Sequence, residues 1–493
     1  MGKSLRSCLV LVVTPAALLG LALLVGAEHG RLIPHAAAQT HAANPRLAKA
    51  YKFQRDGWTF VHLEGSPADI GFQNGALLSK EIADAFNAIK FQDTHRTKRD
   101  WNFFHDTAKN VYWSHIDPEY QQELQGIADG LKSKGVNMDV YDVIAYNAFE
   151  ELPDYYLPWL EAKQKKQGML IPAHDKLAAP ESCSAFVATG SYTKDGKPVI
   201  AHNNWTSVIP GARWRIMYDI VPAKGYRMIM DGMPGVIVSD DDFTINSGGL
   251  AVTETTITGF HGYDPNGKPE FVRARKATQY ANSVDSYVKI MQDGNNGGYA
   301  NDWLIADANT GEVARFEQGL EHTRLWRTKD GYFEGSNFAS DPQLIKDETD
   351  FDPEKKGTSP NARRERWHEL MAQYKGKIDV AAAQKFESDH YDTFEKKEDP
   401  DERTLCGHVE VSPRGIPEWG WGPYHPGGTV QAKAADATMI KSMSLTARVG
   451  HACGTNFNAA EFLKKHPEYG WQKPVLTDMN SAPWATFKSG ERQ

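Results

Sequence analysis

The chain has 493 residues, 41% hydrophobic and 24% charged, with a formal net charge of −8 at pH 7. That composition belongs to a folded globular protein with room for one large unit or two domains. Lysines are interspersed with acids, so no basic field exists to hold nucleic acid, and the acidity is too scattered for a disordered acidic tail.

The first element reads as an address. Lys3 and Arg6 precede an apolar run from about Leu9 to Val25, and Ala36-Ala37-Ala38 supplies an A-x-A cleavage pattern. The expectation is a signal peptide over residues 1–38 and a secreted or periplasmic protein without stable membrane insertion. The run holds Thr14, Pro15 and Gly20 and lacks stop-transfer charges behind it, which argues against an uncleaved anchor. Cys183, Cys406 and Cys453 then remain, and an odd count in an oxidising compartment suggests one pair plus a thiol with another use. Cys406 and Cys453 could close a loop as a disulfide or stand as two unpaired buried cysteines. Cys183 is left over.

Residues 39–182 read as mainly helical. Ser66 can cap, Pro67 fits the first helical position, Asp69 has capping-box spacing, and Leu78, Ile82, Phe86 and Ile89 follow at helical intervals. Helical readings also suit Glu119 to Leu131 and Val140 to Leu152. From Leu160 the period breaks into Lys163-Gln164-Lys165-Lys166-Gln167-Gly168, then Pro172, Asp175 and Pro180, the pattern of an exposed linker. After Cys183 the period becomes two. Strands are expected at Ser184 to Gly190, Val199 to Asn203, Arg213 to Val221, Tyr226 to Met230, Gly235 to Val238, Phe243 to Ile245 and Leu250 to Thr256, with a hairpin turn at Lys194-Asp195-Gly196-Lys197. Helix returns at Asn361 to Tyr374 and near Val380 to Glu387.

Three uses of Cys183 compete: a small buried hydrophobe, the thiol of an intact-chain Cys-His-Asn hydrolase, or a nucleophile freed at a new N-terminus by cleavage between Ser182 and Cys183. An α-amino group with a pKa of about 7.7–8.0 accepts a proton near neutral pH, where a lysine is already charged. That chemistry calls for an exposed linker upstream and strands downstream, and the sequence has both.

The stretches CSAFVATGSYTKDGKPVIAHNNWT (183–206), PGVIVSDDDFTINSGGLAVTETTI (234–257) and NDWLIAD (301–307) resemble the phospholipase B-like family of N-terminal-nucleophile hydrolases. GFQNGALLSKEI (71–82) and the region from Glu387 to Glu410 are similar to the related isopenicillin-N acyltransferase group. The resemblance implies an α+β fold, a four-layer αββα sandwich, with residues 183–493 as a catalytic chain that stays associated with the cleaved N-terminal piece. It makes Cys183 the nucleophile, His202 and Trp205 its companions on the next strand, and Asn301 the side-chain amide donor to an oxyanion. Asn203, Asn246 and Asn337 compete with Asn301 for that role. Of Glu254 and Thr255 only one can face the site, because a strand alternates its side chains.

The remaining constellations read blandly. Asp240-Asp241-Asp242 suits a solvated turn, Arg363, Arg364 and Arg366 suit surface charge, and the Gly- and Trp-rich segment 415–428 could wall an apolar pocket or form a rigid turn cluster. Asn204-Trp205-Thr206 is a formal glycosylation sequon inside the proposed site and is expected to be unmodified. Asp389, His390, His408 and Glu410 show no zinc spacing, so no metal or organic cofactor is required. The expected function is a self-processing cysteine hydrolase of ester or linear amide bonds in a small acylated substrate, whether lipid, N-acyl compound or peptide. An acyltransferase with the same site and a non-catalytic binding protein on the same fold are the alternatives.

Overall fold

The computed structural model describes residues 44–169, 171, 182–239 and 242–493. The expected signal peptide and the linker prolines lie outside these residues, as do Asp240 and Asp241. Among the described residues no helix is long and apolar enough to cross a membrane.

Two sheets dominate. The larger runs, in spatial order, Tyr51–Arg55, Trp58–Gly65, Ile216–Pro222, Met228–Gly232, Thr244–Asn246, Leu250–Thr256, Asn301–Asp307, Glu312–Gln318 and Thr323–Thr328. The smaller runs Gly331–Gly335, Ser182–Thr189, Val199–Ser207, Gly427–Asp436, Ser444–Val449 and Ala485–Lys488. Period-two alternation sorts their side chains into three cores. Met217, Ile229, Ala251 and Leu304 of the larger sheet meet Ala185, Val187, Ile200 and Leu445 of the smaller one. The other face of the larger sheet, with Tyr218, Met230, Val252 and Ile305, packs on helical residues such as Ile127, Ile144 and Val272. The outer face of the smaller sheet, with Phe186, Ala188 and Ala201, packs on Trp367, Met371 and Phe386. Helix, sheet, sheet, helix is the expected four-layer α+β sandwich.

The N-terminal segment is mainly helical but not wholly so. Its strands Tyr51–Arg55 and Trp58–Gly65 join the larger sheet, and Trp58–Gly65 pairs in parallel with Ile216–Pro222, beyond Cys183. The Ser66 hydroxyl caps Pro67–Leu77 as expected, yet the helix breaks at Leu78 (φ −106°, ψ 16°) before a second helix, Ser79–Thr97. Helix Pro67–Leu77 crosses Pro118–Ser133 through glycines. A Cβ on Gly71 would sit 1.9 Å from the Glu123 carbonyl oxygen, and one on Gly126 2.5 Å from that of Ala68.

Several ends shift by a few residues, Arg213 to Val221 becoming Ile216–Pro222 and Tyr226 to Met230 becoming Met228–Gly232, and two segments depart in kind from the sequence reading. Lys163 to Lys166 belong to helix Leu157–Lys166 rather than to a linker. Gly235 to Val238 is not a strand, because side chains take its backbone groups: Gly235 N–H donates to Tyr218 Oη, Ile237 N–H to Asn147 Oδ1, and Val236 C=O accepts from Asn74 Nδ2.

Candidate active site

Cys183 stands second in the strand Ser182–Thr189 and is wholly buried. Ala185 and Val187 face the larger sheet, so alternation turns Cys183 the same way. Its cross-strand partner is Asn204, and His202 pairs with Ala185, so Cys183, His202 and Asn204 share one face. Cys183, His202, Asp242 and Glu254 each bring a functional atom within 4.8 Å of the others. The thiol points at Glu254 Oε1 at 3.6 Å, and that oxygen also accepts from Tyr299 Oη at 3.1 Å. Glu254, not Thr255, is therefore the residue of that pair that meets the thiol.

The main-chain atoms of Cys183 are held as firmly. Its N–H donates to Asn337 Oδ1 at 3.0 Å, while Asn337 Nδ2 donates to the Thr256 carbonyl. Asn337 sits at φ 66°, a left-handed conformation that asparagine tolerates better than most residues. Arg363 donates to the Cys183 carbonyl at 2.6 Å and to Asn337 Oδ1 at 2.9 Å, with its flat face 4.4 Å from the centre of the Trp205 ring. Surface charge was the expectation for this arginine; instead it is completely buried among carbonyl, amide and hydroxyl oxygens. Burial pulls its guanidinium down to about 9, still charged at neutral pH.

Behind the thiol lies a buried ionic chain. Lys433 reaches Asp231 at 3.2 Å and Asp242 at 3.8 Å, and Asn204 Nδ2 donates to Asp242. Burial alone would lower the lysine, but Asp231 and Asp242 outweigh it and hold the ammonium above its ordinary range. Asp242 is wholly buried, so the expected solvated turn does not extend to it. His202 lies against Lys433 in strand register and 3.9 Å from Asp242. Burial and the neighbouring ammonium push it well below the usual histidine range, so the ring is neutral.

The other expected residues are placed differently. Trp205 points to the opposite face of its strand from His202 and packs with Val409, Ile416, Trp419 and Trp421, its Nε1 donating to the Leu405 carbonyl. The 415–428 segment is accordingly a packed tryptophan cluster, with Trp419 Nε1 bound to Thr258 Oγ1. Asn301 pairs with Thr256 as Glu254 pairs with Trp303, which puts Asn301 on the same sheet face as Glu254, two residues along. Its amide nitrogen and oxygen are both buried without a hydrogen-bonding partner among the described residues.

Residues 72–327, just over half of the chain, match the family model described as Phospholipase B. Two Caenorhabditis elegans proteins are similar over 40% of this chain and 34% of their own length: putative phospholipase B-like 3, 26% identical, and putative phospholipase B-like 2, 33% identical. The chain thus spans about a third of these relatives. A variant of the conjugated bile acid hydrolase of Clostridium perfringens overlays 54% of this chain and 89% of its own, at 11% identity and a TM-score of 0.30, an overlap too loose to bear on the site.

Proposed function

The chain belongs to the phospholipase B family, and on that premise we propose that it is an exported, self-processing cysteine hydrolase of ester or linear amide bonds in acylated substrates. The observation that carries this reading is the convergence on one residue: thiol toward a carboxylate, main-chain nitrogen on an asparagine oxygen, carbonyl on a buried arginine.

In the uncleaved chain the Cys183 nitrogen is an amide and cannot act as base. Glu254 takes the thiol proton, Sγ attacks the Ser182 carbonyl carbon, and the Ser182–Cys183 amide breaks as its nitrogen gains a proton. Water then hydrolyses the resulting thioester, leaving a Ser182 carboxylate and a Cys183 α-amine beside a regenerated thiol. Asn337 Oδ1, already the acceptor of that nitrogen, holds the new amine in place. In the matured chain the amine takes the thiol proton while Sγ attacks the substrate acyl carbon, and then passes the proton to the leaving group. Water resolves the acyl-enzyme. Asn301 supplies an amide N–H to the tetrahedral oxyanion, and neutral His202 shapes the thiol's surroundings without taking up a second proton.

The strand pairing between Trp58–Gly65 and Ile216–Pro222 supports two pieces that stay together after cleavage, because separation would break one sheet. The test is the intact mass and N-terminal sequence of the purified wild type beside Cys183→Ala, followed by hydrolysis of phospholipids, lysophospholipids and N-acyl amides. A chain beginning at Cys183 in the wild type alone, with acyl release, is the expected result. An uncut but active wild type would overturn self-processing, and no acyl release by the cut form would overturn the hydrolase.

A further inference from the structure

A second constellation of nucleophilic side chains stands apart in chemistry from the Cys183 thiol. His390 follows helix Val380–Glu387, Cys406 and His408 lie on the loop before strand Gly427–Asp436, and Cys453 follows strand Ser444–Val449. One ligand atom from each lies within 4.8 Å of all the others. His408 Nε2 is 3.6 Å from Cys406 Sγ and 3.4 Å from Cys453 Sγ, and neither cysteine is in a disulfide. The pairing expected as one reading of the sequence is therefore not formed here.

Those separations are what a tetrahedral metal demands. Zinc–sulfur bonds of about 2.3 Å and zinc–nitrogen bonds of about 2.0–2.1 Å at tetrahedral angles put sulfur and nitrogen about 3.6 Å apart. The second ring nitrogen of His408 is fixed as well: Nδ1 lies 2.9 Å from Glu410 Oε1, which His451 Nε2 also approaches at 3.3 Å. A carboxylate behind a ligating imidazole sets the tautomer that leaves the other nitrogen free to bind metal.

From this geometry we infer that His390, Cys406, His408 and Cys453 form a structural zinc site. Two thiolates and two imidazoles suit zinc, and four protein ligands leave no open position for substrate or water, so the ion would staple rather than catalyse. Both thiols give up their protons to solvent when the ion enters. The staple joins three segments at a place that matters: Leu405, next to Cys406, offers its carbonyl to Asn203 Nδ2 at 2.9 Å and to Trp205 Nε1 at 3.3 Å. These side chains form the back of the strand whose front carries His202 and Asn204. The site does not depend on the hydrolase reading.

Elemental analysis and native mass spectrometry of the full chain, purified without chelator or added metal, test it. One zinc per chain is expected, lost in the Cys406→Ser/Cys453→Ser double variant and retained in Cys183→Ala. Should the double variant not fold, the wild type decides alone: chelated protein regains one zinc on titration, and zinc shields Cys406 and Cys453 from alkylation. Metal-free wild type that takes up no zinc, or a wild type with Cys406 and Cys453 joined and two hydrogens lighter, overturns the site.

Discussion

The surroundings of Cys183 and those of Cys406 and Cys453 are both built from cysteine, histidine and carboxylate, yet their arrangement differs in kind. At Cys183 a single thiol faces Glu254, its backbone is gripped by Asn337 and Arg363, and Asn301, on the same face of the larger sheet as Glu254, keeps its amide unsatisfied. At the second place two sulfurs share one imidazole nitrogen, and the carboxylate stands behind the ring rather than beside a thiol. One thiol with an asymmetric partner set can attack and be regenerated. Two thiols converging on one imidazole nitrogen are placed to hold an ion between them. The lesson is that residue type does not separate a nucleophile from a ligand; the number of groups sharing one point in space does.

The largest effect that could break this contrast comes from Cys183→Ala. It should abolish cleavage after Ser182 and lower turnover by about 10⁴- to 10⁶-fold, read as intact mass and acyl release, with metal content unchanged. Next is Lys433→Met, which leaves Asp231 and Asp242 buried without their ammonium and should destabilise the fold by about 3–5 kcal/mol in denaturant titration. A smaller change would mean that the carboxylates simply take up protons.

Asn301→Ala should cost about 10²–10³-fold in kcat while stability stays within about 1 kcal/mol, since the resting amide has no partner to lose. Lost stability with normal kcat would make Asn301 structural. The smallest effect concerns His202. Its folded pKa is depressed, so the unfolded chain binds the extra proton; the stability is full above the unfolded histidine value of about 6.5 and falls below it, by about 1.4 kcal/mol per pH unit. His202→Gln should remove that acid-side decline, measured as the difference between the two unfolding curves at pH 7.5 and 5.5. Equal slopes would show that His202 takes up its proton over the same pH range folded as unfolded.

Some of this was legible from residue order and some was not. Period-two alternation with β-branched residues marked Leu250 to Thr256 to the residue, and the cap at Ser66 was visible because both depend on neighbours in sequence. Gly235 to Val238 misled because Asn74, Asn147 and Tyr218, all distant in sequence, claim its backbone hydrogen bonds. Arg363 looked like surface charge for the same reason: nothing local shows that its helix packs on the strand of Cys183.

The sequence by itself placed Cys183 at the start of a strand after a segment holding Pro172 and Pro180, and it determined the alternation that builds two sheets. Only the tertiary structure decided that Glu254, Asp242 and Lys433 gather near Cys183 or behind it, and that Trp205 turns away. It alone brought His390, Cys406, His408 and Cys453 to one point. Charge neutralisation and ligand geometry act through space over a few ångströms, and residues separated by tens or hundreds of positions reach that range only after the layers have packed.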